Sequence, residues 1–446
     1  MQQTISADPK ARIIYVGDEP SRQALTLSFC DAGYELVSHE DACHADIGLI
    51  DLRGKPVSSR KAQSIAALLR KRSPESSILL IIDSYMDETA RKALRRHGEL
   101  ITVLTSPDGL IERCRQILRL RNIAEEAGER LKTLATLSRL NDFPMIEAST
   151  APLKMLIAGE AGPTALSALN VLQPISEQCV CVFSAGQALR AIESNAFDVA
   201  IFLPKSESDP LLSLVRSLRR HPKHSGMPVI FPLDDPDKAA DYVRRGASDF
   251  ILETQLVDDL GPKAQVSARR SRLLKTMRQF LQACQGDGVR DASSGAFTAT
   301  FLAEHGARLC SRADQTGRPM ALAALRIETA STEQGEPEPG KRALHQAARL
   351  INRVTRAEDL VARIATDIFL VMMPATTERN AENATLRIRG VLENTVFRST
   401  DDDLLYGIHV STAACARPQG FCIEESVALA LAVLRENQEV SVSGAG

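Results

Sequence analysis

The chain has 446 residues, 44% of them hydrophobic and 25% charged, with a formal net charge of −2 and no Trp. That length suits about three domains of ~150 residues each, and the composition is that of an ordinary globular protein. The near-zero charge gives no bulk pull toward DNA or anionic lipid, and the scarcity of aromatics argues against a stacking platform for nucleic acid or carbohydrate. The start MQQTISADPKARIIYV lacks the basic-then-apolar pattern of a signal peptide, and runs such as SSILLIIDSY are too short to span a bilayer. The expectation is a cytoplasmic protein with no membrane insertion and no nucleic-acid partner. The nine cysteines stand singly, apart from Cys179 and Cys181, whose spacing has no second half to complete a zinc site. Reduced thiols and no metal cluster are expected.

In chain order, RIIYVGDE reads as a first strand and Ser21–Ala32 as a helix. ADIGLIDLRG and SSILLIID are strand-like, with the helical QSIAALLRKR between them, and ITVLTSP is a last strand before a long helix beginning IERCRQILRL. Continuous apolar strands alternating with helices predict a parallel sheet covered on both faces. After DFPMIEASTAPLK the rhythm repeats: KMLIAGE, FDVAIFLP, MPVIFPLD and SDFILET are strand candidates, and LGPKAQVSARRSRLLKTMRQFLQACQ is a closing helix. Two units of equal length amount to an internal duplication. QGDG at 285–288 is the next hinge. The last segment holds MALAALRIE, then LVARIATDIFLVMMP broken by a turn, then GIHVSTAACA, and ends in the tail VSVSGAG. The predicted fold class is α/β: two doubly wound parallel-sheet domains, at 10–140 and 152–284, followed by a further α/β domain at 288–440.

In the first unit, Gly17-Asp18-Glu19-Pro20 follows the first strand, Asp51 ends the strand run ADIGLID, and Ser106 follows the last. This pattern resembles the receiver domain of response regulators, whose acidic pair holds Mg²⁺ and whose strand-end Asp accepts a phosphoryl group. The resemblance makes Asp18 and Glu19 candidate Mg²⁺ ligands and Asp51 the candidate phosphoacceptor. Ser106 stands where the family has its lysine, so no cation there offsets phosphate charge. The alternative is that Asp51 is a leftover acid at a strand end. In the second unit Gly159-Glu160, Leu203 and Glu253-Thr254 replace the acids, the acceptor and the Lys-Pro. A leucine accepts no phosphate and a glutamate repels it, so this unit is expected to offer packing surfaces only.

The third segment opens DASSGAFTA, with Asp291, Gly295, Thr298 and Ala299, and carries Ala365-Thr366-Asp367-Ile368-Phe369 at the turn of its strand pair. It resembles the GGDEF (nucleotide-cyclase-like) domain of PleD-like response regulators, which share the receiver–receiver–GGDEF layout and make cyclic di-GMP. Against the family pattern, Arg326 replaces the first-strand metal-binding acid and Val433 a phosphate-binding lysine. The guanine-reading helix has become TEQGEPEPGKR, and the two glycines that let phosphate approach are Ala365 and Thr366. One surviving carboxylate, Asp367, does not hold two magnesium ions between triphosphates, so the chain is expected not to be an enzyme.

Arg356-Ala357-Glu358-Asp359 precedes the signature at the offset of the family's inhibitory R-x-x-D site for cyclic di-GMP, and Arg387 matches an auxiliary arginine, with Arg389 nearby. A guanidinium can reach guanine O6 and N7, and a carboxylate can accept from the N1–H and N2–H₂ edge. The competing reading of Arg356 and Asp359 is an exposed i,i+3 ion pair worth a few tenths of a kcal/mol. The resemblance implies a non-catalytic cyclic di-GMP effector and a homodimer. It also implies an adaptor for protein partners, namely a protease adaptor and substrate in cell-cycle proteolysis at the cell pole. The alternatives are a weak residual cyclase using Glu328, Glu333 and Asp367, or a scaffold with an inert third domain.

Overall fold

The computed structural model describes residues 9–38, 45–54, 59–72, 76–83, 86–102, 107–137, 151–221, 223–284, 288–329, 341–398 and 405–443. Contacts divide the chain into two units. One comprises Arg12–Leu120 and Glu147–Thr276; the other comprises Met1–Ala11, Arg121–Ile146 and Met277–Gly446.

The first of these units contains both parallel sheets. Its leading half runs β1 (Ala11–Val16), α1 (Glu19–Asp31), β2 (Tyr34–Ser38), β3 (Ile47–Asp51), α2 (Ser59–Arg72), β4 (Ser77–Ile82), α3 (Glu88–Leu94), β5 (Glu99–Thr102) and α4 (Asp108–Thr136), in sheet order β2-β1-β3-β4-β5. Its second half runs β6 (Leu153–Gly159), α5 (Pro163–Leu172), β7 (Ser176–Val182), α6 (Ala185–Ser194), β8 (Val199–Leu203), α7 (Pro210–Arg220), β9 (Val229–Leu233), α8 (Ala239–Arg244), β10 (Asp249–Leu252) and α9 (Leu256–Ala283), in order β10-β9-β8-β6-β7. Numbered within each half, both orders are 2-1-3-4-5, a common doubly wound arrangement whose ligand crevice lies at the strand C-termini. The duplication expected from the sequence is therefore a duplication of topology.

Buried charge joins the two halves of this unit. Arg113 pairs with Asp249 and, at 3.3 Å, with Glu99, while Arg270 reaches Glu99 at 2.7 Å. Asp259 receives Arg91 at 2.5 Å and Arg95 at 3.0 Å. Burial of Arg113 disfavours its charge, but Asp249 and Glu99 outweigh that and raise its pKa.

The other unit is built on a mixed sheet, β11-β13-β14-β12-β17. In chain order it holds β11 (Phe297–Thr298), α10 (Ala299–Thr316), β12 (Met320–Thr329), α11 (Lys341–Val354), β13 (Leu360–Arg363), β14 (Ile368–Pro374), α12 (Glu378–Glu393), the small pair β15 (Phe397–Arg398) and β16 (Leu405–Tyr406), β17 (Ile408–Ala416) and α13 (Ile423–Ser443). Strand β12 is an interior strand, antiparallel to both its neighbours, β14 and β17. Its alternate residues Ala321, Ala323, Leu325 and Ile327 pack with Leu344, Ala348 and Ile351 of α11 and Ile388 and Leu392 of α12. This period-two face against two helices fixes where the ends of β12, the β13–β14 hairpin and α11 lie.

Residues of α4 from Arg121 onward belong to this second unit. There Glu126 and Arg130, one turn apart, form a buried ion pair, and His305 Nε2 of α10 lies 3.0 Å from Glu126. Thr133 Oγ1 lies 2.9 Å from His305 Nδ1, and Arg130 sits over the Phe297 ring.

Candidate functional site

In the leading half of the first unit, β1 and β3 bring Tyr15 and Asp51 together, and the Tyr15 hydroxyl donates to Asp51 at 2.7 Å. Arg53 grips the same carboxylate, with Nη2 at 2.6 Å and Nε at 2.9 and 3.2 Å. Burial pushes the Asp51 carboxyl up, yet the bonds from Arg53 and Tyr15 outweigh it and hold the pKa below 3.8. Asp18 caps α1, accepting from Ser21 N at 2.9 Å, and Glu19 pairs with Arg22 at 2.6 Å. Each acid of the receiver pattern is thus committed to a protein donor. An Mg²⁺ ion would have to displace a guanidinium from Asp51, so the residues as arranged do not fit the ion. Among the described residues no three His, Cys, Asp or Glu side chains converge as a metal group. Ser106 lies outside the described residues. Replacing Asp51 by Ala leaves the buried Tyr15 hydroxyl without its acceptor and is expected to lower stability by about 1–3 kcal/mol in urea unfolding.

In the other unit, Asp291 organises the loop before β11. It accepts from Ser294 N at 2.8 Å and Ser294 Oγ at 2.7 Å, and Arg363 reaches it at 2.9 Å. Gly295 follows at φ 72, a conformation that costs a glycine little. Thr298 is the N-cap of α10, accepting from Phe301 N.

The turn at 364–367 joins β13 to β14. In the β12–β14 register Arg326 stands opposite Ile368, and Arg326 Nε lies 3.1 Å from Asp367 Oδ2. Arg326 Nη1 also donates to Gln438 Oε1 of α13 at 2.8 Å. A guanidinium thus stands against the Asp367 carboxylate. Two like cations do not share a carboxylate cheaply, so Arg326 opposes a metal ion at Asp367. Glu328 lies two residues along β12, and Glu333 lies outside the described residues.

The R-x-x-D segment is the turn between α11 and β13. Asp359 Oδ2 accepts from the backbone N–H of Arg356 at 2.7 Å, and Asp359 N–H donates to Arg356 carbonyl at 3.2 Å. The exposed i,i+3 side-chain ion pair is therefore not what forms: the carboxylate closes the turn through the backbone. The Arg356 guanidinium instead donates to Thr376 Oγ1 at 3.4 Å. Arg387, on α12, donates to the Val354 carbonyl at 3.1 Å, so both guanidiniums flank the same turn. Arg389 reaches only Glu393, at 3.9 Å. Asp359 is 8% exposed, and its Oδ1 is buried without a hydrogen-bond partner. Burial, then the neighbouring Glu358, push this carboxyl up to about 7 against the bond from the Arg356 backbone.

Three described features escaped sequence reasoning: Tyr15 and Arg53 on Asp51, Arg326 on Asp367, and the arginines of α11. Arg53, two residues past the acceptor, and Arg349-x-x-x-Arg353 at helical spacing were the available signals.

The antiparallel strands β12, β13 and β14 and the helices against them define a mixed α/β domain. Residues 335–439 match the family described as diguanylate cyclase, GGDEF domain, so the C-terminal part of the chain is a GGDEF domain. Its solved structural neighbours include the GGDEF domain of DgcB from Caulobacter crescentus in complex with c-di-GMP, at 18% identity and TM-score 0.32, covering 35% of this chain and 90% of that one. They also include the diguanylate cyclase SiaD with its activator SiaC from Pseudomonas aeruginosa, at 21% identity and TM-score 0.33, covering 42% of this chain and 71% of that one. The FimX GGDEF domain from Pseudomonas aeruginosa matches at 17% identity and TM-score 0.29, covering 33% of this chain and 94% of that one. Among curated proteins there is no match. Among the described residues no helix is long and apolar enough to cross a membrane.

Proposed function

We propose that the chain is a non-catalytic cyclic di-GMP receptor that binds the dinucleotide at Arg356, Asp359 and Arg387 and acts as a signalling adaptor. The observation that carries the non-catalytic half is the Arg326–Asp367 ion pair at 3.1 Å, which sets a cation where the reaction needs a metal-binding acid. The receptor half is supported by two guanidiniums flanking one turn and by a buried carboxylate oxygen with no partner of its own. A guanine edge supplies the missing donors. The receiver-like halves supply surfaces for a homodimer and for protein partners, among them the adaptor and substrates of a protease at the cell pole. Asp51, if it accepts phosphate, does so only after Arg53 leaves it.

The test is incubation of the full chain with GTP and Mg²⁺, followed by chromatography. No cyclic di-GMP is the expected result; accumulation of product would restore the residual-cyclase alternative.

A further inference from the structure

The GGDEF-containing unit holds a cavity of about 270 Å³ between one face of α11 and the loop before β11. The groups of either charge that line it are Arg130, Arg290, Arg349, Arg353, Arg356 and Asp359, with His345 beside them. Five arginines therefore face a single carboxyl. Arg130 is already neutralised by Glu126. Arg349 and Arg353 are exposed and have no hydrogen-bond or ion-pair partner among the described residues, and their spacing of four puts both on one face of α11. Arg356 continues that face beyond the helix end. Unpaired guanidiniums at this spacing present fork-shaped donors suited to two oxygens of one phosphate. Asp359, whose Oδ1 is buried and unpartnered, lines the same cavity, which points to a ligand with both an anionic group and a donor edge.

We propose that this cavity seats a phosphate ester, with Arg349 and Arg353 as its phosphate-contacting residues and the R-x-x-D turn reading an attached base. The inference rests on the receptor reading and extends it to residues outside the R-x-x-D pattern. A ligand pocket for a whole drug-sized molecule measures roughly 300–1,000 Å³. A cavity of about 270 Å³ therefore takes one nucleotide moiety, and the remainder of the ligand stays outside it.

The test uses the full chain and the double variant Arg349→Ala, Arg353→Ala. Cyclic di-GMP is titrated into each by calorimetry at low and high salt. Both residues are exposed, so the variant is expected to melt at the wild-type temperature; if it does not, the two single variants carry the same comparison. The expected result is binding weakened at least tenfold, with a shallower salt dependence, since two phosphate contacts are removed. Wild-type binding together with unchanged affinity and salt dependence in the variant overturns the phosphate seat and leaves the receptor reading intact. Absence of binding in the wild type overturns both.

Discussion

Replacing Arg356 by Ala is expected to weaken cyclic di-GMP binding by about 100-fold while leaving the fold intact. The side chain is exposed and its one protein contact is a 3.4 Å bond to Thr376, so little stability rests on it. Charged hydrogen bonds to a ligand contribute about 1.5–3 kcal/mol each, and ~1.4 kcal/mol is tenfold in affinity. The same site gives binding a pH dependence of known sign. Asp359 titrates at about 7 in the folded chain, and donors from a guanine edge favour its ionised form. Affinity is therefore expected to rise from about pH 5.5 to about pH 8, and binding below pH 7 to release a proton. Calorimetry in buffers of different ionisation heat reads that proton directly. A flat profile would mean that Asp359 does not meet the ligand.

The largest effect on stability is expected at Glu126. Its carboxylate, 2% exposed, faces both Arg130 and His305. Removing one partner of a buried ion pair leaves an uncompensated charge, so Glu126→Ala is expected to cost about 3–5 kcal/mol in urea unfolding. Glu126→Gln, which keeps one acceptor oxygen, costs less. Burial pushes this carboxyl up, but His305 and Arg130 outweigh burial and hold it down to about 2. A folded pKa below the ordinary 4.5 means that the stabilisation is present above pH 4.5 and lost as pH falls toward 2. An acid-unfolding midpoint that Glu126→Gln leaves unmoved would contradict this. Arg130 also lines the arginine-rich cavity, so the same change loosens one of its walls.

The parallel-sheet halves were legible because their central strands are continuous apolar runs: ILLII and VAIFL each stand out without any alternation to interpret. Strands β2 and β7 were not, and both lie at sheet edges, where YELVS and SEQCVCV mix polar and apolar residues because one side faces solvent. The hairpin of β13 and β14 followed from two apolar runs broken at Ile364–Asp367. What residue order could not supply was pairing across the fold. Arg326 read as a lost acid, and only the β12–β14 register turns it into a cation on Asp367. Asp51 read either as a phosphoacceptor or as a leftover acid at a strand end, and only the fold brings Tyr15 and Arg53 onto its carboxylate. Arg356 and Asp359 read either as a ligand site or as an i,i+3 side-chain ion pair, and in the fold the bond between them runs through the Arg356 backbone N–H instead of its guanidinium. That difference matters chemically, since it leaves one carboxylate oxygen and both guanidiniums free of each other.

The measurement that bears most directly on the receptor claim is a calorimetric titration of cyclic di-GMP into the wild-type chain at neutral pH. Saturable binding in the micromolar range or tighter is the predicted result. No heat from a protein whose circular dichroism and melting show it folded would contradict the claim, and would leave a scaffold whose GGDEF domain has lost its ligand.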